Sequence, residues 1–179
     1  MAAGSARNDE LRQLLDDERA NDGARARRDR FWLARIDEEA MTLPGLLIAL
    51  AETGSPAKLA LLGGRTHRGR VTAVGVDLVA LDDTNGANIV LPLARVVSVR
   101  TTDRQLIAVD REPSSATFRD QLLALSEQRV DVRLGLDGGI DERGTLVACG
   151  TDLVALRTIS GELVYVPENH IAKIVTMSP

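Results

Sequence analysis

The chain is built on a duplication. A shift of 75 positions, without a gap, lays residues 117–176 over residues 42–101. Residues 69–81 read Gly-Arg-Val-Thr-Ala-Val-Gly-Val-Asp-Leu-Val-Ala-Leu, and residues 144–156 read Gly-Thr-Leu-Val-Ala-Cys-Gly-Thr-Asp-Leu-Val-Ala-Leu. Both close on the same five residues, with a glycine two positions before the aspartate. Thr42 meets Thr117, Leu47 meets Leu122, Gly63-Gly64 meets Gly138-Gly139, Gly86 meets Gly161 and Pro92 meets Pro167. A self-match at a fixed period makes the repeat the structural unit, so any fold for this chain must be formed twice.

Each unit begins with a helix. Thr42 is a cap, Pro44 sits in the first turn, Leu46, Leu47 and Leu50 form an apolar stripe, and Gly54-Ser55-Pro56 ends it. Five short strands follow, over about 57–62, 68–74, 76–81, 89–91 and 96–100. Gly63-Gly64, Gly75, Asn85-Gly86 and Pro92 punctuate them. In the second copy Val130, Val132, Leu134 and Leu136 alternate with Asp131, Arg133, Gly135 and Asp137, the period of a half-buried strand. Strands this short, with turns this close, suit a small, strongly bent barrel rather than a layered α/β sheet.

The predicted class is therefore mainly β with helices: two tandem helix-plus-five-strand barrels behind an N-terminal helical segment. Residues 1–40 form that extension, 41–101 the first repeat, 102–116 a linker and 117–179 the second repeat. The extension reads as helix over 8–40, broken near Asn21-Asp22-Gly23. Arg25, Arg27, Arg28 and Arg30 around Asp29 read as a solvated helix face. Residues 105–109, ahead of the Glu112-Pro113-Ser114-Ser115 linker, are apolar enough for an extra strand.

The order of helix, five bent strands, glycine turn after strand one, glycine opening strand two and aspartate at strand three resembles the Sm-like fold. That family includes the Sm and LSm proteins and the bacterial Sm-like RNA chaperone. The resemblance covers 42–101 and 117–176. It implies assembly into rings, the fourth strand of one barrel pairing with the fifth of the next, and RNA bound around the pore. On this chain the edges concerned are 89–91 with 96–100, and 163–166 with 171–175. The resemblance places RNA contacts in the loop before strand three and the turn between strands four and five, where Arg95 and His170 are the polar groups. The family's asparagine after the strand-three aspartate is replaced by Leu-Val-Ala-Leu after Asp77 and Asp152. The family's Arg-Gly or Lys-His after strand four is replaced by Pro92-Leu93-Ala94-Arg95 and Pro167-Glu168-Asn169-His170.

Composition limits the function classes. With 2% aromatic residues there are few stacking platforms for single-stranded nucleic acid, and a net charge of −4 leaves room only for a local basic patch. One cysteine, Cys149, allows neither an intrachain disulfide nor a cysteine metal cluster, and it replaces Val74 as a small core residue. His67 and His170 occupy non-equivalent places in the two repeats, so no metal site is expected. Gly63-Gly64-Arg65-Thr66 lacks the Gly-Lys-Ser/Thr ending of a phosphate loop, and no catalytic constellation stands out. Asp77 and Asp152 read as turn-fixing aspartates that bond nearby backbone. The longest apolar run, 43–51, is too short to span a bilayer, and residues 1–30 hold no signal-type core, so a cytoplasmic protein without a membrane partner is expected.

Two functional readings stand. One is a non-enzymatic, cofactor-free Sm-like binding module with RNA as ligand, on Arg65, His67, Arg68, Arg70, Arg95 and His170. The other is an oligomeric scaffold that self-associates through barrel edges and offers its N-terminal helices to a protein partner.

Overall fold

The computed structural model describes residues 41–103 and 111–176. The helix expected over 8–40, its arginine cluster and the strand expected over 105–109 lie outside the described residues. The described part from Thr42 onward belongs to one compact unit.

Helix α1 (Leu43–Thr53) begins where the sequence places it. The Thr42 hydroxyl accepts from the Gly45 amide at 3.1 Å, Pro44 fills the first turn, and Gly54 ends the helix at φ 63°. Strands β1 (Pro56–Leu61), β2 (Thr66–Val74), β3 (Leu78–Asp83), β4 (Asn88–Pro92) and β5 (Val96–Thr101) complete the first half. The second half repeats it: α2 (Phe118–Glu127), then β6 (Asp131–Leu136), β7 (Asp141–Cys149), β8 (Leu153–Arg157), β9 (Leu163–Pro167) and β10 (Ile171–Thr176). Strands β6, β7, β9 and β10 start and end 75 residues after β1, β2, β4 and β5. Helix α2 carries a reciprocal cap between Thr117 and Asp120. The Thr117 hydroxyl and amide, donating to the Asp120 carboxylate, hold its pKa below the ordinary value.

Among the described residues ten strands form a single antiparallel sheet in the order β5-β1-β2-β3-β4-β10-β6-β7-β8-β9. The sequence predicts two small barrels. The structure has two five-stranded halves of like order, hydrogen-bonded edge to edge into one open sheet. The joint is β4 against β10, with Val90 facing Ile174, Ile89 facing Val175 and Asn88 facing Thr176. Strand three starts at Leu78 rather than 76, because the Gly75 amide bonds the Leu78 carbonyl at 2.9 Å and makes residues 75–78 a tight turn.

Each half has its own interior. Leu47, Leu50, Leu59, Leu81 and Leu91 centre the first; Leu122, Leu134, Leu146, Leu156 and Ile174 centre the second. With so few aromatic residues, branched aliphatic side chains supply this burial. Val175 of β10 packs into the first core, while Leu78 and Val90 of the first half pack into the second. Gly69 and Gly144 open the second strand of each half for a steric reason. A Cβ at Gly69 would overlap the Asp82 carbonyl on β3, and one at Gly144 the Arg157 carbonyl on β8. Among the described residues no helix is long and apolar enough to cross a membrane.

Candidate functional site at the joint and the free edges

The polar chemistry of the described chain concentrates where the two halves meet. Arg65, in the β1–β2 turn, donates to Asp141 at 2.7 Å and to the Gly139 carbonyl in the β6–β7 turn. Arg95, in the turn after β4, donates to Asp137 at 2.9 Å and to the Asn169 carbonyl. His170 Nδ1 lies 3.2 Å from the same Asp137 carboxylate. Lys173, almost fully buried on β10, runs its stem over Gly135, where a Cβ would collide with it, and ends 3.9 Å from Asp141. Burial lowers the Lys173 pKa; Asp141 opposes that, and Arg65 and Arg133 add to it. For Asp141, burial pushes the carboxyl up, but the Arg65 hydrogen bond and the charges of Lys173, Arg65 and Arg133 outweigh it and hold the pKa below the ordinary range.

The backbone is tied across the same joint. The Asp77 carboxylate accepts from the Phe118 amide at 2.7 Å, the first residue of α2. The Val76 amide donates to the Ala116 carbonyl at 3.0 Å, and Ser114 donates to the Val74 carbonyl through both its amide and its hydroxyl. Asp77 therefore holds the start of the second half, rather than fixing its own turn as the sequence suggests. A cavity of about 780 Å³ opens beside this contact, lined among others by Asp77, Arg95, Phe118, Arg119, Asp152 and Glu168. Its arginines are occupied: Arg95 by Asp137, and Arg119 by Glu168 at 2.9 Å and by the carbonyls of Gly150 and Thr151.

The six residues expected to meet RNA are divided by the fold. Arg65, Arg95 and His170 belong to the joint and face its carboxylates. His67 is half-buried on β2, and its Nε2 is enclosed without a hydrogen-bond partner among the described residues. Only Arg68 and Arg70 remain exposed and outside any ion pair among the described residues. The strand register gives them company that linear spacing does not show. Lys58 faces Arg68 on β2 and Arg100 on β5, so three exposed cations stand abreast across three strands, with Arg70 two residues along from Arg68. None of the four makes an ion pair among the described residues. Like charges directly opposite each other destabilise a sheet unless something neutralises them.

Burial is the largest influence on His67 and lowers its pKa from 6.5, with Lys173 adding to the shift, Asp83 opposing it, and Arg65 and Arg133 contributing further. In the window between that lowered value and 6.5 the unfolded chain takes up a proton that the folded chain does not. Stability is thus expected to fall as pH drops below 6.5, and a His67→Gln variant to show a shallower fall. Thermal melts across that range check it; equal slopes in both proteins would contradict it.

The sheet's two ends differ from the joint in a telling way. Among the described residues strands β5 and β9 each have a single neighbour. By the 75-residue shift β9 is the counterpart of β4, and β5 of β10, the two strands that pair at the joint. Val90 is 3% exposed at the joint while its counterpart Tyr165 is 63% exposed; Ala172 is 7% exposed and its counterpart Val97 61%. Leu78 is buried and its counterpart Leu153 is exposed. Leu62 and Ile140, in the same two turns as Arg65 and Asp137, stay exposed and apolar where their repeat counterparts, Asp137 and Arg65, are ion-paired across the joint.

Cys149 is half-buried against the second core, and burial raises its thiol pKa. Among the described residues no group of three His, Cys, Asp or Glu side chains is placed to hold a metal ion. No protein-family model matches the chain, and no curated protein matches it significantly.

Proposed function

We propose that the protein is a self-assembling scaffold, in which β9 of one copy pairs with β5 of the next and so repeats between chains the β4–β10 joint inside each chain. The observation that carries this reading is the pair of edges left unpaired among the described residues, which are the counterparts of the two strands joined internally and hold exposed apolar residues where the joint buries theirs. Unpaired backbone groups on an edge strand seek a partner strand, and exposed apolar side chains beside them add to the drive. The shift sets the register: Val99 opposite Tyr165, Arg100 opposite Val164 and Thr101 opposite Leu163, as Ile174, Val175 and Thr176 stand opposite Val90, Ile89 and Asn88. Such a contact is head-to-tail and closes a ring or extends a filament. The resemblance of each half to the Sm-like fold supports the same geometry, since those proteins join fourth strand to fifth. Light-scattering mass after gel filtration tests it. A mass several times that of one chain, rising with concentration, is expected; a monomer at every concentration would overturn it.

A second reading is favoured by the row of Arg100, Lys58 and Arg68 with Arg70, which presents four exposed cations outside any ion pair among the described residues. On this reading the outer face of the first half holds the phosphate backbone of single-stranded RNA, without reading bases. Lys58→Ala is expected to weaken binding of a short unstructured RNA and to flatten its salt dependence, by about 0.7 in log–log slope for each phosphate the protein no longer neutralises. Binding that ignores salt, or ignores the change at Lys58, would remove this reading.

A further inference from the structure

The turn at residues 149–152 is a copy of one that already has an occupant. At residues 74–77 the occupant is the chain entering the second half: Ser114 on the Val74 carbonyl, the Ala116 carbonyl on the Val76 amide, and the Phe118 amide on the Asp77 carboxylate. The fit is close enough that a Cβ on Gly75 would overlap the Ala116 carbonyl. The turn at 149–152 has the same backbone. The Gly150 amide bonds the Leu153 carbonyl at 2.8 Å, as Gly75 bonds Leu78 at 2.9 Å. The Asp152 carbonyl accepts from Glu168 at 2.8 Å, as that of Asp77 accepts from Leu93 at 2.7 Å. Yet among the described residues the Asp152 carboxylate accepts no hydrogen bond, the Thr151 amide donates none, and the nearest atom to a Cβ on Gly150 is the Leu153 carbonyl at 3.2 Å, within its own turn. The acceptor is preformed, and within the described chain nothing fills it.

We infer that Gly150, Thr151 and Asp152 form a socket for the amino end of α1 from a second copy of the chain. The donor matches by the same shift. Thr42 and Leu43 are the counterparts of Thr117 and Phe118, Thr42 caps its helix as Thr117 does, and the Leu43 amide has no acceptor among the described residues. In the assembly the Leu43 amide donates to Asp152, and the carbonyl ahead of Thr42 accepts from the Thr151 amide over Gly150. Arg119 does not block this arrangement, because its guanidinium holds the Gly150 and Thr151 carbonyls and Glu168, leaving the Asp152 carboxylate and the Thr151 amide available. Strand pairing alone fixes an edge; the socket adds a charged hydrogen bond at the positive end of a helix and sets the angle between successive copies.

The inference rests on the proposed self-assembly, and the test separates the two. Asp152→Ala and Gly150→Ala are made in the full chain, and self-association is followed by sedimentation equilibrium. Asp152 is exposed, so the melting temperature of Asp152→Ala stays near that of the parent, whereas Gly150→Ala sets a methyl 3.2 Å from the Leu153 carbonyl and its melting temperature is read alongside. Each variant is expected to associate about tenfold more weakly. Hydrogen exchange at the Leu43 amide is expected to slow as the parent assembles, and to stay fast in Asp152→Ala. A parent that assembles while both variants associate as tightly, with unprotected Leu43, would overturn the socket and leave edge pairing standing. A parent that stays monomeric would overturn both.

Discussion

Truncating Leu156 to alanine is expected to cost about 2–5 kcal/mol of folding stability, and truncating Leu81 about as much. These leucines are counterparts in the two repeats. Both are essentially inaccessible, and each lies in the middle of its own half's core. The cost has two parts, the forfeited burial of three carbons and the cavity left behind. Both variants are expected to lower one shared unfolding transition, not to split it. The β4–β10 joint runs the sheet through both halves, and Val175, Leu78 and Val90 each pack into the core of the opposite half. Denaturant melts followed by circular dichroism check this. Loss of one half at a time, with half of the strand signal remaining, would show that the joint does not couple them.

Tyr165→Asp is expected to leave the folded chain nearly as stable as before, within about 0.5 kcal/mol, because the ring already faces solvent. Its effect falls on assembly. At the joint the counterpart Val90 is buried against Ile174, and in the proposed assembly Tyr165 would be buried in the same way against Val99 of a neighbouring copy. An aspartate there puts an unpaired charge into that contact, at a cost on the order of 2 kcal/mol or more, or roughly thirtyfold in affinity. Inward-pointing charge is also how natural edge strands are kept from pairing. Light scattering reads the effect directly. Association as tight as that of the parent would mean that this edge is not the contact.

The repeat explains why the order of helices, strands and turns was legible in the sequence. The two separate barrels it suggested are instead one open sheet, because the pairing of β4 with β10 leaves no mark in the sequence. An ungapped shift carries every turn with it, and the glycines that mark those turns are needed for steric reasons: left-handed φ at Gly63 and Gly64, and close backbone approach at Gly69 and Gly144. The error at strand three, begun two residues early, comes from Val76 and Asp77, whose β-forming pattern hides a tight turn closed by the Gly75 amide. The site was less legible, because register across strands and contacts between halves leave no trace in linear spacing. Arg65 looked like part of one basic group with Arg68 and Arg70, yet it turns to Asp141, and Arg95 turns to Asp137. Lys58 and Arg100 lie 42 positions apart in sequence and face each other across β1 and β5. Lys173 reads as an ordinary surface lysine and is buried, because Gly135 opposite it leaves room for its stem. Only the alignment of the repeats, which pairs Asp77 with Asp152 and Val90 with Tyr165, carried information about what a second copy would meet.

Cross-linking in the expected register bears most directly on the account. Thr101 and Leu163 are the counterparts of Thr176 and Asn88, which face each other at the joint. With Cys149→Ser removing the native thiol, a chain carrying Thr101→Cys and Leu163→Cys is treated in dilute solution with a short bismaleimide. A ladder of covalent multimers is predicted, while each single-cysteine chain gives at most dimers. Doubly modified monomers with no ladder would contradict the account.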